Sequence, residues 1–162
     1  LEEPENLENK AIDVALKFVS YQPRSIFETA QKLKQKGFPA EIRSLTVDKL
    51  VRAGYLDDYL FAKSYLNEAE SKNYGLQRIR QTLFKKGIGR ETIDKILEDY
   101  DFDDEFERAE IIAGSRFKKL KDLEPEKQYR RLMSFLIRRG YKASIAIQIS
   151  NRLIKGSSEH TD

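Results

Sequence analysis

Three short phrases of this chain follow one pattern, and that pattern restricts the fold more than any other feature. They are Leu33-Lys34-Gln35-Lys36-Gly37-Phe38, Leu83-Phe84-Lys85-Lys86-Gly87-Ile88 and Leu136-Ile137-Arg138-Arg139-Gly140-Tyr141, with their glycines 50 and then 53 residues apart. A Leu, a cation, a Gly and then a large apolar residue is the signature of the end of an amphipathic helix, where a left-handed residue stops the chain. One structural unit used three times predicts a tandem array. Units of about 50 residues are too small to bury a sufficient core alone, so each must lean on its neighbours.

The segments between the glycines read as helices. Ser25-Ile26-Phe27-Glu28, after Pro23, is a capping box, in which the Ser hydroxyl serves an orphan amide and the Glu reaches back. The stripe that follows is Ile26, Ala30 and Leu33; its equivalents are Leu76, Arg80 and Leu83, then Tyr129, Met133 and Leu136, with Ile79 compensating for Arg80. A second helix follows each glycine, started by Pro39 in the first unit and marked by Ile42, Leu45 and Leu50, by Ile93, Ile96, Leu97 and Tyr100, or by Ile145, Ile149 and Leu153. Asp57-Asp58 and Asp103-Asp104 offer N-caps for third helices. With a leading helix near Leu7 to Tyr21, the expectation is an all-α fold of about nine helices. Its tandem three-helix repeats would stack into an elongated, curved body. The divisions expected are a leading helix over 1–22, read as the end of an upstream part because the chain opens on Leu1, then repeats over 23–72 and 73–122, a two-helix repeat over 123–156, and a flexible tail over 157–162.

Composition narrows the chemistry. With no Cys, disulfides and thiolate sites are excluded, and the single His160 falls in the polar tail, where a catalytic role is not expected. No apolar run approaches a membrane span and no signal peptide is visible, so a cytoplasmic protein without membrane contact is expected. No Gly-rich phosphate loop or zinc spacing is present, and Asp101, Asp103 and Asp104 belong to one contiguous acidic stretch with a capping explanation. Neither an enzyme, a cofactor nor a metal site is therefore expected.

The net charge of +3 conceals an uneven distribution. Residues 72–90 carry Lys72, Arg78, Arg80, Lys85, Lys86 and Arg90 with no acid; residues 98–110 carry eight acids against Arg108 alone; residues 111–155 hold twelve cations against three acids. Lys36, Lys86 and Arg139 each precede a helix-ending Gly. There, complementing the helix dipole for about 0.3 to 1 kcal/mol and binding a partner are both adequate explanations. Arg78 and Arg80 lie early in a helix on a face expected to be exposed, where positive charge opposes the dipole, which asks for an external anion. Arg130, Arg131 and Arg138 form a similar set in the last repeat. Basic faces recurring every 50 residues suit a polymeric target. The acids of 98–110 are expected to cap a helix or to be solvated, or else to pair with a basic partner.

The run Gly54-Tyr55-Leu56-Asp57-Asp58-Tyr59-Leu60-Phe61-Ala62, with Pro23-Arg24-Ser25 and Lys36-Gly37-Phe38 before it and Gly75-Leu76-Gln77-Arg78-Ile79-Arg80-Gln81-Thr82-Leu83 and Lys86-Gly87-Ile88 after it, resembles the RecX family of bacterial regulatory proteins over residues 20–155. Thr29 and Thr82 depart from that family's common Leu and acid. The resemblance implies a non-enzymatic, monomeric regulator without cofactors. Its partner would be the RecA recombinase filament, whose ATPase and strand exchange it inhibits in recombination and the SOS response. The binding set expected on this reading is Arg78, Arg80, Lys85, Lys86, Lys36, Arg130, Arg131, Arg138 and Arg139, with weak, sequence-independent contact to single- and double-stranded DNA. A helix-turn-helix protein acting on duplex DNA is the alternative, for which Lys142, Gln148, Asn151 and Arg152 would read the bases. Against it, the second helix of the middle repeat offers Glu91, Asp94, Glu98 and Asp99 to phosphate.

Overall fold

The computed structural model describes residues 3–158, and His160 with the end of the expected tail lies outside them. The described residues form nine helices and no strand: α1 (Pro4–Tyr21), α2 (Ile26–Gln35), α3 (Ala40–Arg52), α4 (Asp58–Ser71), α5 (Leu76–Lys85), α6 (Arg90–Ile96), α7 (Phe102–Lys118), α8 (Pro125–Arg139) and α9 (Ala143–Ser158). The all-α tandem fold is as expected. The last helix reaches further than expected, since α9 runs to Ser158 through residues assigned to the tail.

The three glycine phrases have the same backbone. Gly37, Gly87 and Gly140 take φ of +83°, +76° and +96°. In each the residue after the Gly donates back to the Leu carbonyl five positions earlier, at 3.2, 3.0 and 3.2 Å. This is the Schellman closure that uses carbonyls the helix would otherwise orphan. The capping box at α2 is complete, with Glu28 N donating to Ser25 Oγ and Ser25 N to Glu28 Oε2, both at 3.1 Å.

Two expectations are corrected. α7 is capped by Asp101, which accepts from the amides of Asp103 and Asp104 at 2.9 and 3.0 Å, so those two acids occupy the first turn instead of the cap. At α4, Asp57 accepts from Leu60 N at 3.0 Å, whereas Asp58 turns away to accept from the Ile26 amide of α2 at 2.9 Å. The apolar stripe is also shifted by one residue. Thr29, Ile79 and Leu132 are fully buried, while Ala30, Arg80 and Met133 lie on the flank or outside. The step of four residues back from the buried Leu at the helix end sets the core line, which places Arg80 on the surface.

The chain divides into two compact units, one of residues up to Tyr65 with Leu83–Glu98, the other of Leu66–Thr82 with residues from Asp99 on. The first is centred on Ala11, Ala15, Leu33, Ile42, Val47, Leu50 and Leu56. The second is centred on Ala109, Ala113, Leu132, Leu136, Tyr141, Ala146 and Ile149.

Each unit contains the same junction, in which the start of one helix docks on a later Gly turn. In the first unit the Ser25 hydroxyl donates to the Lys86 carbonyl at 2.6 Å, Lys86 Nζ pairs with the Glu28 carboxylate, and Asp58 takes the Ile26 amide. In the second, Gly75 N donates to the Arg139 carbonyl at 2.9 Å, Gln77 N to the Gly140 carbonyl at 3.0 Å, and the buried Glu105 takes the Leu76 amide at 2.8 Å. First-turn amides that have no partner within their own helix are satisfied from another one. The approach is close enough to exclude a Cβ. One built on Gly75 would lie 2.4 Å from the Gly140 backbone, and one on Gly87 or Gly140 would lie 2.3 Å from the Cβ of Phe27 or Arg78.

Candidate polyanion-binding surface

The expected cations fall into two groups. Lys86 and Arg139 are half-buried and engaged in the junctions. Lys86 pairs with Glu28, and Arg139 donates to the carbonyls of Lys72 and, at 3.2 Å, Asn73, with its guanidinium 4.6 Å from the Tyr74 ring centroid. Arg78 is corrected from the exposed face assigned to it. It is half-buried, its guanidinium lies 3.8 Å from the same Tyr74 ring, and its Cβ packs against Gly140. These side chains fasten helix ends, an outcome the even spacing of the cations could not distinguish from binding.

Lys36, Arg80, Lys85, Arg130, Arg131 and Arg138 are exposed. Of these, Arg130, Arg131 and Arg138 are brought together within the second unit. They line a cleft of about 650 Å³ with Arg116, Leu123, Lys127 and Ser134. Among the described residues its wall therefore carries five cations and no acid. Lys127, Arg131, Ser134 and Arg138 recur at steps of four, three and four residues, so they share one face of α8. Arg116, from the last turn of α7, faces the same space. Its guanidinium is 5.5 Å from the Phe135 ring centroid, and its Nε is buried without a hydrogen-bond partner. None of the five cations has a carboxylate partner among the described residues, which leaves a concave region of uncompensated positive field.

Arg116 and Lys127 were missed by the sequence reading. The helical step from Arg131 back to Lys127 was available in the sequence. Arg116, eleven or more residues before this set and on another helix, was not accessible to any local pattern.

Most acids of the stretch are exposed, as the capping and solvated reading expects; Glu105 is the exception that corrects it, and Glu110 is half-buried. Glu105 is 1% exposed and serves the Leu76 amide. Arg108 is buried too, pairing with Asp104, accepting company from Glu70 at 3.9 Å and donating to Tyr100 Oη at 3.0 Å. Glu110 pairs with Arg152. Burial raises Glu70 above the ordinary carboxylate range, opposed by Arg108. Burial pushes the Tyr141 hydroxyl, which donates to the Asn73 carbonyl at 2.8 Å, up to about 12, and raises Tyr100 further. As expected, Glu91, Asp94, Glu98 and Asp99 are exposed around α6. No group of acids or His able to hold a metal occurs among the described residues, and no described helix is long and apolar enough to cross a membrane.

Family models match along most of the chain: "RecX, first three-helix domain" over residues 11–55, "RecX, second three-helix domain" over 57–97 and "RecX, third three-helix domain" over 103–149. These ranges correspond to α1–α3, α4–α6 and α7–α9, whereas the division at 23, 73 and 123 starts each repeat one helix later and leaves α1 outside them. The regulatory protein RecX of Finegoldia magna is 32% identical over 144 residues, covering 87% of this chain and 70% of that one. The regulatory protein RecX of Trichlorobacter lovleyi is 31% identical over 138 residues, covering 83% and 90%. A crystal structure of regulatory protein RecX superposes with a TM-score of 0.79 at 26% identity, covering 91% of this chain and 73% of that one. RecX from Lactobacillus salivarius has the same fold, with a TM-score of 0.78 at 22% identity over 92% of this chain and 97% of that one.

Proposed function

The chain belongs to the RecX family of regulatory proteins, and we propose that it acts without catalysis on the RecA recombinase filament, restraining its ATPase and strand exchange by binding along the nucleoprotein. The observation that carries this reading is the cleft of Arg116, Lys127, Arg130, Arg131 and Arg138, five cations in one concave wall with no acid among them. Lys and Arg that neutralise phosphates release counterions, so contact with DNA is independent of sequence and weakens steeply with salt. Lys36, Arg80 and Lys85, all exposed, extend the set of candidate filament contacts. Such a regulator works as a monomer in the cytoplasm, where the filament forms.

The test is DNA-dependent ATP hydrolysis by RecA. The expected result is inhibition at substoichiometric amounts of this protein, lost when Arg130 and Arg131 are reversed to Glu. Unchanged hydrolysis at equimolar protein removes the proposal. One observation favours a second reading: Lys142, just before α9, and Gln148 and Asn151 along it are exposed, as a base-reading helix would require. Gel shifts with unrelated duplexes separate the two, because a helix-turn-helix reader would prefer one sequence strongly.

A further inference from the structure

The three Gly turns are equivalent in sequence and in backbone, yet among the described residues only two of them are occupied. The turn at Gly87 receives the start of α2, and the turn at Gly140 receives the start of α5; in both, a Cβ on the Gly would lie 2.3 Å from the docked helix. At Gly37 no atom of the described residues, its own chain neighbours aside, lies within 4 Å of that position. The closure is otherwise the same, with Gly37 N donating to Lys34 O at 3.0 Å and Phe38 N to Leu33 O at 3.2 Å. Lys34, Gln35, Lys36 and Gly37 are all exposed, and Lys36 has no ion-pair partner among the described residues. Its counterpart Lys86 is the residue that holds both the hydroxyl of Ser25, through its carbonyl, and the carboxylate of Glu28, through its ammonium.

We infer that the Lys36–Gly37 turn is a docking site for the first turn of a helix from a partner protein, and that the helix it accepts carries a Ser or Thr cap and a Glu three residues later. The chemistry follows from the occupied turn. An exposed C-terminal turn offers carbonyls and a lysine ammonium, while a helix start offers amides and a capping hydroxyl as donors and a carboxylate as counter-ion, so dipole and charge are complementary. Gly37 admits the close approach because no Cβ stands in the way. An anion alone would satisfy the ammonium and leave the carbonyls unused, which is why a capped helix is the better occupant. The site uses none of the cleft's residues, and its test does not involve RecA.

The probe is a peptide with the sequence of residues 23–35, held helical by a lactam bridge in place of the Gln31 and Gln35 side chains, both exposed in α2, with its helicity established by circular dichroism beforehand. Titrated into the isotopically labelled full chain, it should shift the amide signals of Lys36, Gly37 and Phe38 saturably. Replacing Ser25 by Ala and Glu28 by Gln within the peptide should weaken binding at least about tenfold, the loss of one charge-assisted bond. Lys36→Glu in the protein should do the same, and Lys36→Arg should retain binding. Absence of shifts with the helical peptide, shifts at Lys86 to Ile88 instead, or indifference to these substitutions would overturn the inference. Self-association of the chain abolished by Lys36→Glu would also overturn it, by making a second copy the occupant.

Discussion

The Glu105 carboxylate accepts a hydrogen bond from the Leu76 amide at 2.8 Å, although 29 residues separate them and Glu105 is 1% exposed. A carboxylate so buried is tolerated because it meets an amide that α5 cannot satisfy itself, at the positive end of that helix. Glu105→Ala orphans a buried donor and should lower unfolding free energy by about 2 to 3 kcal/mol. Glu105→Gln keeps an acceptor oxygen and should cost about half as much. Urea denaturation of both variants checks the ordering, and equal losses would mean that the amide is satisfied some other way.

The glycines should separate by mechanism. Gly37→Ala meets only the left-handed backbone, with open space around it, and should cost about 1 kcal/mol. Gly75→Ala meets no such backbone constraint but would drive a Cβ to 2.4 Å from the Gly140 main chain. Overpacking of this kind costs about 1 to 3 kcal/mol. Gly87→Val combines both problems against Phe27 and should be the least stable of the three, losing activity through unfolding. Thermal melts that rank Gly37→Ala as the worst would contradict the junction geometry.

The helices and their stops were legible because both depend on local chemistry: the capping box at Ser25 and the turns at Gly37, Gly87 and Gly140 are fixed by residues within one turn of each other. What the sequence could not yield is where the ends go. Asp58 and Asp101 are each the kind of residue that caps its own helix. Only the packed chain shows that Asp58 serves α2 and Asp101 serves α7. Glu105 reads as a solvated charge because burying it requires a partner, the Leu76 amide, that lies 29 residues away. The binding set was legible in the same uneven way. Arg130, Arg131 and Arg138 share a helix, whereas Arg116 joins them only through the packing of α7 beside α8.

Stability should fall in alkali through the buried tyrosines. Tyr141 titrates at about 12 in the folded chain against 10 when exposed, so between those values the folded state holds a proton that the unfolded state has released. Its contribution is complete below pH 10 and is lost as pH rises through 12. Tyr100 is shifted in the same direction, chiefly by burial. Tyr141→Phe should therefore flatten the decline of melting temperature above pH 10, at the cost of the bond to the Asn73 carbonyl. An unchanged alkaline slope would assign the decline to other groups.

Binding and fastening cations should part company under substitution. Arg130→Ala with Arg131→Ala, both exposed in the cleft of α8, should leave unfolding within about 0.5 kcal/mol of the parent. The same pair should lower the log–log salt slope of duplex binding by about 1.8, since each phosphate contact contributes about 0.9. Arg78→Ala should behave differently, because its guanidinium lies on the Tyr74 ring at 3.8 Å and such contacts contribute about 0.5 to 2 kcal/mol. Arg139→Ala should cost more, since the carbonyls of Lys72 and Asn73 lose a charged donor along with the Tyr74 contact. Melts and salt-dependent gel shifts on the same four samples decide between the two roles. If the Arg130 and Arg131 variant keeps the parent's salt slope while Arg78→Ala keeps its stability, the cleft does not meet phosphate, and the cation that does lies on α5.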